Sequence, residues 1–179
     1  MSPAGWTLLV LALLLVAVYI SWTAGRLDRL HARVDAAWAG LDAALVRRAA
    51  AARAVVRHLP PRAPQTLTLE SAAAAALLGG PVAREAVENE LSVALRAALP
   101  LLSSVGSARV RDELDDAAER VGLARSFHNS AVANARAQRV KRVPRTLRLA
   151  GHRVLPQHFD IDDTALPAAV RAARPGAAG

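Results

Sequence analysis

The pattern of apolar and polar positions begins with one long apolar run. Residues 6–22 read WTLLVLALLLVAVYISW, and no charged side chain occurs before Arg26. About 20 helical residues, at 1.5 Å each, cross a hydrocarbon core roughly 30 Å thick. Trp6 lies at one end of the run, and Tyr19 and Trp22 lie at the other, where interfacial aromatic side chains are expected. The pattern predicts a transmembrane helix.

The main alternative for this run is a cleaved signal peptide. Such peptides carry Lys or Arg ahead of the apolar core and a small-x-small cleavage site behind it. The leader from Met1 to Gly5 has no basic side chain, and the residues around Trp22 form at best a weak cleavage site. A buried core helix is a second alternative, but an uncharged run of this length is unusual in one. We therefore expect an uncleaved span.

Basic residues behind the run predict its orientation. Arg26, Arg29 and Arg33 follow the run closely, whereas the other side offers only the α-amine. Lys and Arg near a span are retained on the cytoplasmic side of the membrane. We expect a single-pass protein of the cell membrane with its N-terminus outside and its C-terminal domain in the cytoplasm.

Downstream of the run, apolar residues recur at alternating steps of three and four, the spacing typical of helices that pack against other helices. The first such stretch extends from Leu27 to Leu59 and continues the apolar run almost without a break. Proline removes a backbone donor and clashes with the preceding turn. We therefore expect Pro60 to end this helix and a turn to follow over residues 60–68.

Three further helices are predicted, over residues 69–78, 81–99 and 108–142. Pro100 is expected to end the second of these and Pro144 to end the third. No long run with strand periodicity occurs. The predicted fold class is all-α: a single N-terminal transmembrane helix continues into a long antiparallel three- to four-helix bundle, and a disordered C-terminal tail follows.

Three regions follow from this pattern. Residues 1–25 form the N-terminal tail and transmembrane helix, residues 26–155 form the bundle, and residues 156–179 form a mostly disordered tail rich in Ala, Pro and Gly. About 150 residues beyond the span are enough for one domain with a modest core. The sequence has no cysteine, which excludes disulfides and thiolate metal sites.

One short motif matches catalytic patterns on paper. Residues 160–164 read DIDDT, which fits the DxDxT of aspartyl-phosphate phosphotransferases and the DxDD of class II terpene cyclases. The first needs a buried parallel strand and the second needs a much larger helical barrel, and the sequence predicts neither. His152 and His158 lie nearby, but no rigid element is predicted to hold a metal there. We interpret the segment as an acidic surface tail and expect no catalytic residue, metal site, cofactor or enzymatic activity.

The net charge of +8 raises nucleic acid or anionic lipid as partners. Residues 136–153 are rich in basic side chains and contain no acid, and the candidate contacts with a polyanion are Arg139, Lys141 and Arg142. Aromatic residues make up only 3% of the chain, which disfavours a stacking platform for single-stranded nucleic acid. We favour the simpler interpretation that these cations complement a helix dipole, so nucleic acid is not an expected partner.

Four short motifs occur along the chain in a characteristic order. Residues 37–48 begin AWAGLD and end with two arginines, residues 88–92 read ENELS, residues 113–129 run from EL to FHN, and residues 158–162 read HFDID. Their order and spacing resemble the LemA family of bacterial membrane-anchored helical proteins, with its motifs AW-x-x-[IV]-D-x-x-L-x-R-R, A-E-N-x-L, E-L-x-x-x-E-x-R-I-x-x-A-R-x-x-Y-N and F-F-E-I-E. The positions of the bundle that carry the resemblance are Trp38, Leu41, Asp42, Arg47, Arg48, Glu88, Asn89, Leu91, Leu114 and Asn129.

The resemblance implies an N-terminal anchor and a long antiparallel helical bundle, and it implies no catalytic activity. The chain departs from the family where aromatic residues are lost: a Tyr-Asn pair becomes His128-Asn129, and one closing Phe becomes His158. We expect a non-catalytic interaction or scaffold module. The alternative is a membrane-tethered binder of nucleic acid or acidic polymer through residues 136–153. The bilayer is the expected partner of the N-terminal helix, a protein partner is not identified, and a homo-oligomer stays open.

Trp38 provides the sharpest structural prediction. It lies on the apolar seam of the first long helix, and the Ala-rich core offers few other large side chains. If Trp38 is buried, its replacement by Ala should cost about 3–5 kcal/mol of stability. The alternative is a Trp on the bundle surface that waits for a partner. His128, on the seam of the last long helix, is expected to pack in the core.

Overall fold

The structure is a computed structural model that describes residues 2–80, 83–105, 108–139 and 157–162. Within these residues the chain forms four α-helices and no strand. The helices are α1 Pro3–Val56, α2 Pro64–Leu78, α3 Arg84–Val105 and α4 Ala108–Arg139. The all-α prediction is therefore confirmed for the part of the chain that the structure describes.

The chain divides into two compact units. The N-terminal unit comprises residues 1–37 and 129–158, and the core unit comprises residues 38–128 and 159–179. Helices α1 and α4 each contribute to both units, whereas α2 and α3 belong to the core unit alone.

The N-terminal unit contains the apolar run. Pro3–Trp22 is long and apolar enough to cross a membrane, and none of it is buried against the rest of the protein. A signal sequence meets the same criterion of length and composition. Trp6, Tyr19 and Trp22 are all exposed on this part of α1, and the guanidinium of Arg26 lies 5.8 Å from the centre of the Trp22 ring.

The N-terminal unit also contains a small apolar cluster between α1 and α4. Val34 and Ala37 of α1 pack against Ala131, Val132 and Ala135 of α4. Four of these side chains are buried, and Ala37 is partly so. Small side chains at most positions let two helices approach closely, although each residue buries little area.

The core unit has a continuous apolar core built from all four helices, and α2 packs closely against α3. Alanine supplies much of it, with Leu and Val at intervals. Leu91 and Leu114, both predicted as packing positions, are fully buried. Ala49 and Ala52 of α1 share this cluster with the start of α4, whereas Leu41 and Leu45 pack with Val121 farther along α4, so the two helices are antiparallel. The core unit is therefore a helical bundle.

Two predicted helix boundaries are wrong because proline acts differently at different positions. The turn expected over 60–68 ends early, since α2 begins at Pro64. A proline in the first turn of a helix loses no hydrogen bond, because that N–H has no intrahelical acceptor. Likewise, Pro100 does not end α3, which continues to Val105. Leu99 and Leu102 on either side are buried in the core, and we attribute the continuation of the helix to this burial.

The remaining boundaries agree with the prediction or lie outside the described residues. Helix α1 ends at Val56, and a turn closed by the N–H of Leu59 on the carbonyl of Val56 leads to Pro60. The described part of α4 ends at Arg139. Lys141, Arg142 and Pro144 lie outside the described residues. Residues 163–179 of the predicted tail also lie outside them.

Candidate functional site

The residues Phe159–Asp162, which we call the closing segment, alternate between buried and exposed. Phe159 and Ile161 are each only 3% exposed, whereas Asp160 and Asp162 are exposed. This alternation is that of an extended chain, in which successive side chains point to opposite sides. The sequence predicts a mostly disordered tail over residues 156–179; within it, Phe159 and Ile161 instead pack into an apolar cluster of the core unit.

The apolar side of the closing segment fills a groove formed by α1 and α4. Phe159 and Ile161 form a cluster with Leu41, Leu45 and Val121, and Trp38, Ala44 and Ala124 pack at its edge. Burying a Phe or Ile side chain completely is worth about 1.5–3 kcal/mol relative to exposure. The two apolar side chains therefore supply most of the energy that holds the segment.

Trp38 forms one wall of this groove. Its ring meets Phe159 edge to face at a centroid distance of 5.6 Å, and it meets His128 in the same manner at 5.4 Å. Such aromatic pairs contribute about 0.5–1.5 kcal/mol beyond burial alone. Trp38 is only partly buried, a result between the buried and the surface positions that the sequence left open. His128 is buried, as predicted.

The backbone of the closing segment is held by α3. The N–H of Asp160 donates to Oε1 of Glu85 at 2.9 Å, and the N–H of Asp162 donates to Oδ1 of Asn89 at 2.8 Å. Two residues of extended chain advance about 6.7 Å, and four residues of helix advance about 6.0 Å. The spacing of side chains four apart on a helix thus matches the spacing of alternate N–H groups in an extended chain. The side chains of α3 therefore accept hydrogen bonds from the closing segment in regular order.

Two arginines contact the polar side of the segment. Arg96 pairs with the carboxylate of Asp162 at 3.2 Å, and its other terminal nitrogen donates to the Asp162 carbonyl at 3.4 Å. Arg125 donates to the carbonyl of Ile161 at 3.3 Å and lies 3.7 Å from the carboxylate of Asp160. Both carboxylates are solvent-exposed, so each pair contributes little energy. Their effect is to favour acidic residues at these two positions.

A buried ion pair lies beside the groove. Nη2 of Arg48 on α1 lies 2.7 Å from Oε2 of Glu88 on α3, and both side chains are 0% exposed. Arg48 also donates to the Glu88 carbonyl at 3.2 Å and to Oγ of Ser92 at 3.3 Å. The Ser92 hydroxyl donates to the same carbonyl at 2.9 Å. This network ties α1 to α3 at one fixed register.

Arg84 extends the network to α2. Its Nη2 lies 3.1 Å from Oδ1 of Asp42, and its Nε lies 3.4 Å from Oε1 of Glu88. Its Nη1 donates to the carbonyls of Ala76 and Gly79 at 3.1 Å each. These carbonyls belong to the C-terminal end of α2, where helix carbonyls lack intrahelical donors. Arg84 therefore caps α2 while it approaches the buried carboxylate.

The carboxyl of Glu88 is buried between two arginines. Burial raises the pKa of its carboxyl above the ordinary 4.5, and the charges and hydrogen bond of Arg48 and the charge of Arg84 act in the opposite direction. The neighbouring carboxylate of Asp42 adds a smaller increase in the pKa. Desolvation of the buried carboxylate is the largest of these effects, so the net direction of the Glu88 pKa is upward.

Most of the predicted motif positions meet at this site. Trp38 and Leu41 line the groove, Asp42, Arg48 and Glu88 form the ion network, and Asn89 binds the closing segment. The other four lie elsewhere: Leu91 and Leu114 are in the main apolar core, Arg47 is exposed, and Asn129 is half-buried in the N-terminal unit. The polyanion candidates remain untested, because Lys141, Arg142 and the side chain of Arg139 lie outside what the structure describes.

Four charged residues on the helices of the site were not among the predicted site residues, namely Arg84, Glu85, Arg96 and Arg125. Arg84 and Glu88 are four apart, as are Glu85 and Asn89, so each pair lies on one side of α3. The sequence shows this spacing, but it does not show which residues of α1 and of the closing segment these side chains contact. His158 is exposed, and no group of His, Cys, Asp or Glu within the described ranges is placed to hold a metal ion.

The site therefore consists of a groove with defined contacts for an extended segment, backed by a buried ion network that joins three helices. A comparison with family models, curated proteins and solved structures finds no match to this chain.

Proposed function

We propose that this protein is a single-pass membrane-anchored scaffold whose helical bundle is a non-catalytic interaction module on the cytoplasmic side. The observation that carries the proposal is the composition of α1. One helix contains both an apolar stretch with no buried residue and, farther along, Arg48 at the centre of the core unit. The same helix therefore contains both the candidate anchor and part of the packed module.

The chemistry of the core unit supports a scaffold role. Its buried charged side chains each bind a neighbouring helix: Arg48 binds Glu88, Arg84 binds the end of α2, and Arg111 donates to the carbonyl of Leu102 at 3.3 Å. The buried charge of this unit is thus used to hold helices in register. The groove contacts both the apolar side chains and the backbone N–H groups of a peptide segment, as a binding site for an extended peptide does.

We also propose that the chain is a divergent member of the LemA family. Residues from three of the four motifs meet at one place, with Trp38 from the first, Asn89 from the second and Phe159 from the last. His128, from the remaining motif, packs on Trp38. Convergence of separated motifs on one site supports a common structural purpose, whereas a chance resemblance would scatter them.

Anchorage and orientation are testable because the chain has no native cysteine. Single substitutions Ser2→Cys and Ala50→Cys, both at exposed positions, would be labelled in intact cells with a membrane-impermeant maleimide. We expect Ser2→Cys to react from outside and Ala50→Cys to react only after the membrane is permeabilised. The reverse pattern would overturn the orientation, and full-length protein released by alkaline carbonate would overturn the anchor.

The scaffold role requires partners that depend on the core unit. Crosslinking in membranes followed by affinity capture would compare the wild-type protein with Arg47→Ala, an exposed control, and with Arg48→Ala, which removes the central buried side chain. We expect partners to be retained by the control and lost with the buried substitution. Equal capture by both variants would contradict a role for the folded bundle.

A further inference from the structure

The groove that holds the closing segment has the features of a peptide-binding site. It takes an aromatic side chain beside Trp38 and an aliphatic one beside Leu41 and Val121. Acceptors from Glu85 and Asn89 bind alternate backbone N–H groups. These contacts specify a short extended motif of aromatic, acidic, aliphatic and acidic residues in that order.

Main-chain hydrogen bonds combined with pockets for alternate side chains are the mode by which folded domains bind extended peptides. Here the alternate side chains enter the apolar groove, and the intervening carboxylates of Asp160 and Asp162 face Arg125 and Arg96. The closing segment, which occupies the groove in this structure, is complementary to it in both apolar and polar contacts. The same contacts would be available to the same segment arriving from another chain.

The connection to the groove is long. Nineteen residues, 140–158, separate the end of α4 from Phe159. Such a length of chain reaches roughly 60 Å when extended. Linking two binding partners in one chain makes their association intramolecular and raises its effective concentration. Binding within one chain is therefore favoured, but a second chain competes when copies are crowded.

We propose that the groove is an exchange site between copies of this protein, in which the closing segment of one chain binds the groove of a second. The inference rests on the proposed membrane anchor in one respect: confinement to a membrane supplies the crowding. The groove and segment are each complete in a single chain, so exchange replaces one set of contacts with an identical set. The product is a homodimer or longer assembly joined by closing segments.

The test uses two full-length variants with different affinity tags. The segment variant, Phe159→Ala with Ile161→Ala, has an intact groove and no apolar side chains to fill it. The groove variant, Asn89→Ala with Arg96→Glu and Arg125→Glu, keeps its closing segment but loses one acceptor and both favourable charges. All three positions of the groove variant are outside the buried core.

Co-expressed, the two variants complement each other only through exchange. We expect capture of the segment variant to recover the groove variant at least fivefold above the level found when either variant is paired with itself. The pairs of identical variants serve as the control for association through the apolar helix. Equal recovery from mixed and identical pairs would overturn the proposal and leave the segment as an internal contact.

A peptide experiment gives an independent measurement that needs only one variant. A labelled peptide of residues 155–164 should bind the full-length segment variant, and should bind the wild-type chain at least tenfold more weakly because its own segment competes. The same peptide with Phe159→Ala and Ile161→Ala should not bind. Equal affinity of the two peptides, or failure of the first to displace a captured partner, would contradict recognition by the groove.

The outcome separates this proposal from that of the membrane anchor. Each variant is first assigned to the membrane or the soluble fraction, and recovery is then measured in that fraction. Variants that are in the membrane but do not complement would remove the exchange and leave the anchor. Complementation in the soluble fraction would do the opposite.

Discussion

Two sets of Arg–carboxylate pairs in the core unit have the same chemistry and opposite surroundings. Arg48 and Glu88 are completely buried at 2.7 Å, whereas Arg96 and Asp162 meet at 3.2 Å with the carboxylate side chain 68% exposed. In water the attraction is small and screened, while in the interior both attraction and desolvation are large. The buried pair fixes how helices meet, and the exposed pair selects which residues the groove accepts.

The comparison also explains why the buried pair is not simply a source of stability. Burial raises the pKa of Glu88 even though Arg48 opposes that change. Replacing a buried ion pair by apolar residues is often neutral or stabilising, whereas removing one partner alone is strongly destabilising. The network therefore specifies one register of α1, α2 and α3. Its short distances do not imply a large net contribution to the free energy of unfolding.

The largest expected effect comes from Arg48→Ala. The substitution removes a large, fully buried side chain and leaves Oε2 of Glu88 and Oγ of Ser92 without the Arg48 donor. We expect a loss of about 3–5 kcal/mol in the free energy of unfolding. Denaturant unfolding of the full-length protein in detergent micelles, followed by circular dichroism, measures it. Arg47→Ala, its exposed neighbour, is the matched control and should change stability by less than about 0.5 kcal/mol; equal losses would show that the pair is not buried in solution.

Trp38→Ala should have the next largest effect. The ring contacts both Phe159 and His128, so its removal leaves the groove without one wall. Because Trp38 is only partly buried, we expect about 3 kcal/mol, the lower end of the range for large-to-Ala changes. The same unfolding measurement applies, and Trp22→Ala, at an exposed position, is the control. A coincident midpoint for Trp38→Ala and the wild-type protein would place Trp38 at the surface.

The pH dependence of stability isolates Glu88. Its pKa in the folded protein is raised above 4.5, so the folded state binds this proton more tightly than the unfolded state does. The stability that Glu88 contributes is therefore fully present below about pH 4.5 and is lost as the pH rises through the folded pKa. Glu88→Gln cannot titrate, and we expect the stability of the wild-type protein minus that of this variant to fall as the pH rises. A difference that grows with pH would mean that attraction by Arg48 outweighs burial.

Local rules predicted the existence of the helices because each is long and strongly periodic. The same rules failed at Pro64 and Pro100, since the effect of a proline depends on whether its N–H would be bonded and on what its neighbours bury. The sequence marks residues 158–162 as a motif, but not their burial, because the two buried side chains lie in a region whose average composition is that of a tail. Arg48 and Glu88 are 40 residues apart, and only the tertiary structure pairs them.

The smallest expected effect is that of the exposed pair, and it completes the comparison. Asp162→Asn removes the charge that faces Arg96 but keeps the Asp162 N–H bonded to Asn89 and its carbonyl facing Arg96. Since the carboxylate is largely exposed, we expect a loss of less than about 1 kcal/mol at low salt.

That loss should fade as salt is added, because the screening length falls from about 10 Å at 0.1 M to about 3 Å at 1 M. Asp160→Asn is the matched control, since Arg125 lies farther from that carboxylate, at 3.7 Å, and the change should be smaller still. Unfolding in detergent micelles at two salt concentrations measures both variants. A loss from Asp162→Asn that equals the loss from Arg48→Ala, or that is insensitive to salt, would show that the closing segment is desolvated like the interior. The two sites would then no longer differ in the way their exposure implies.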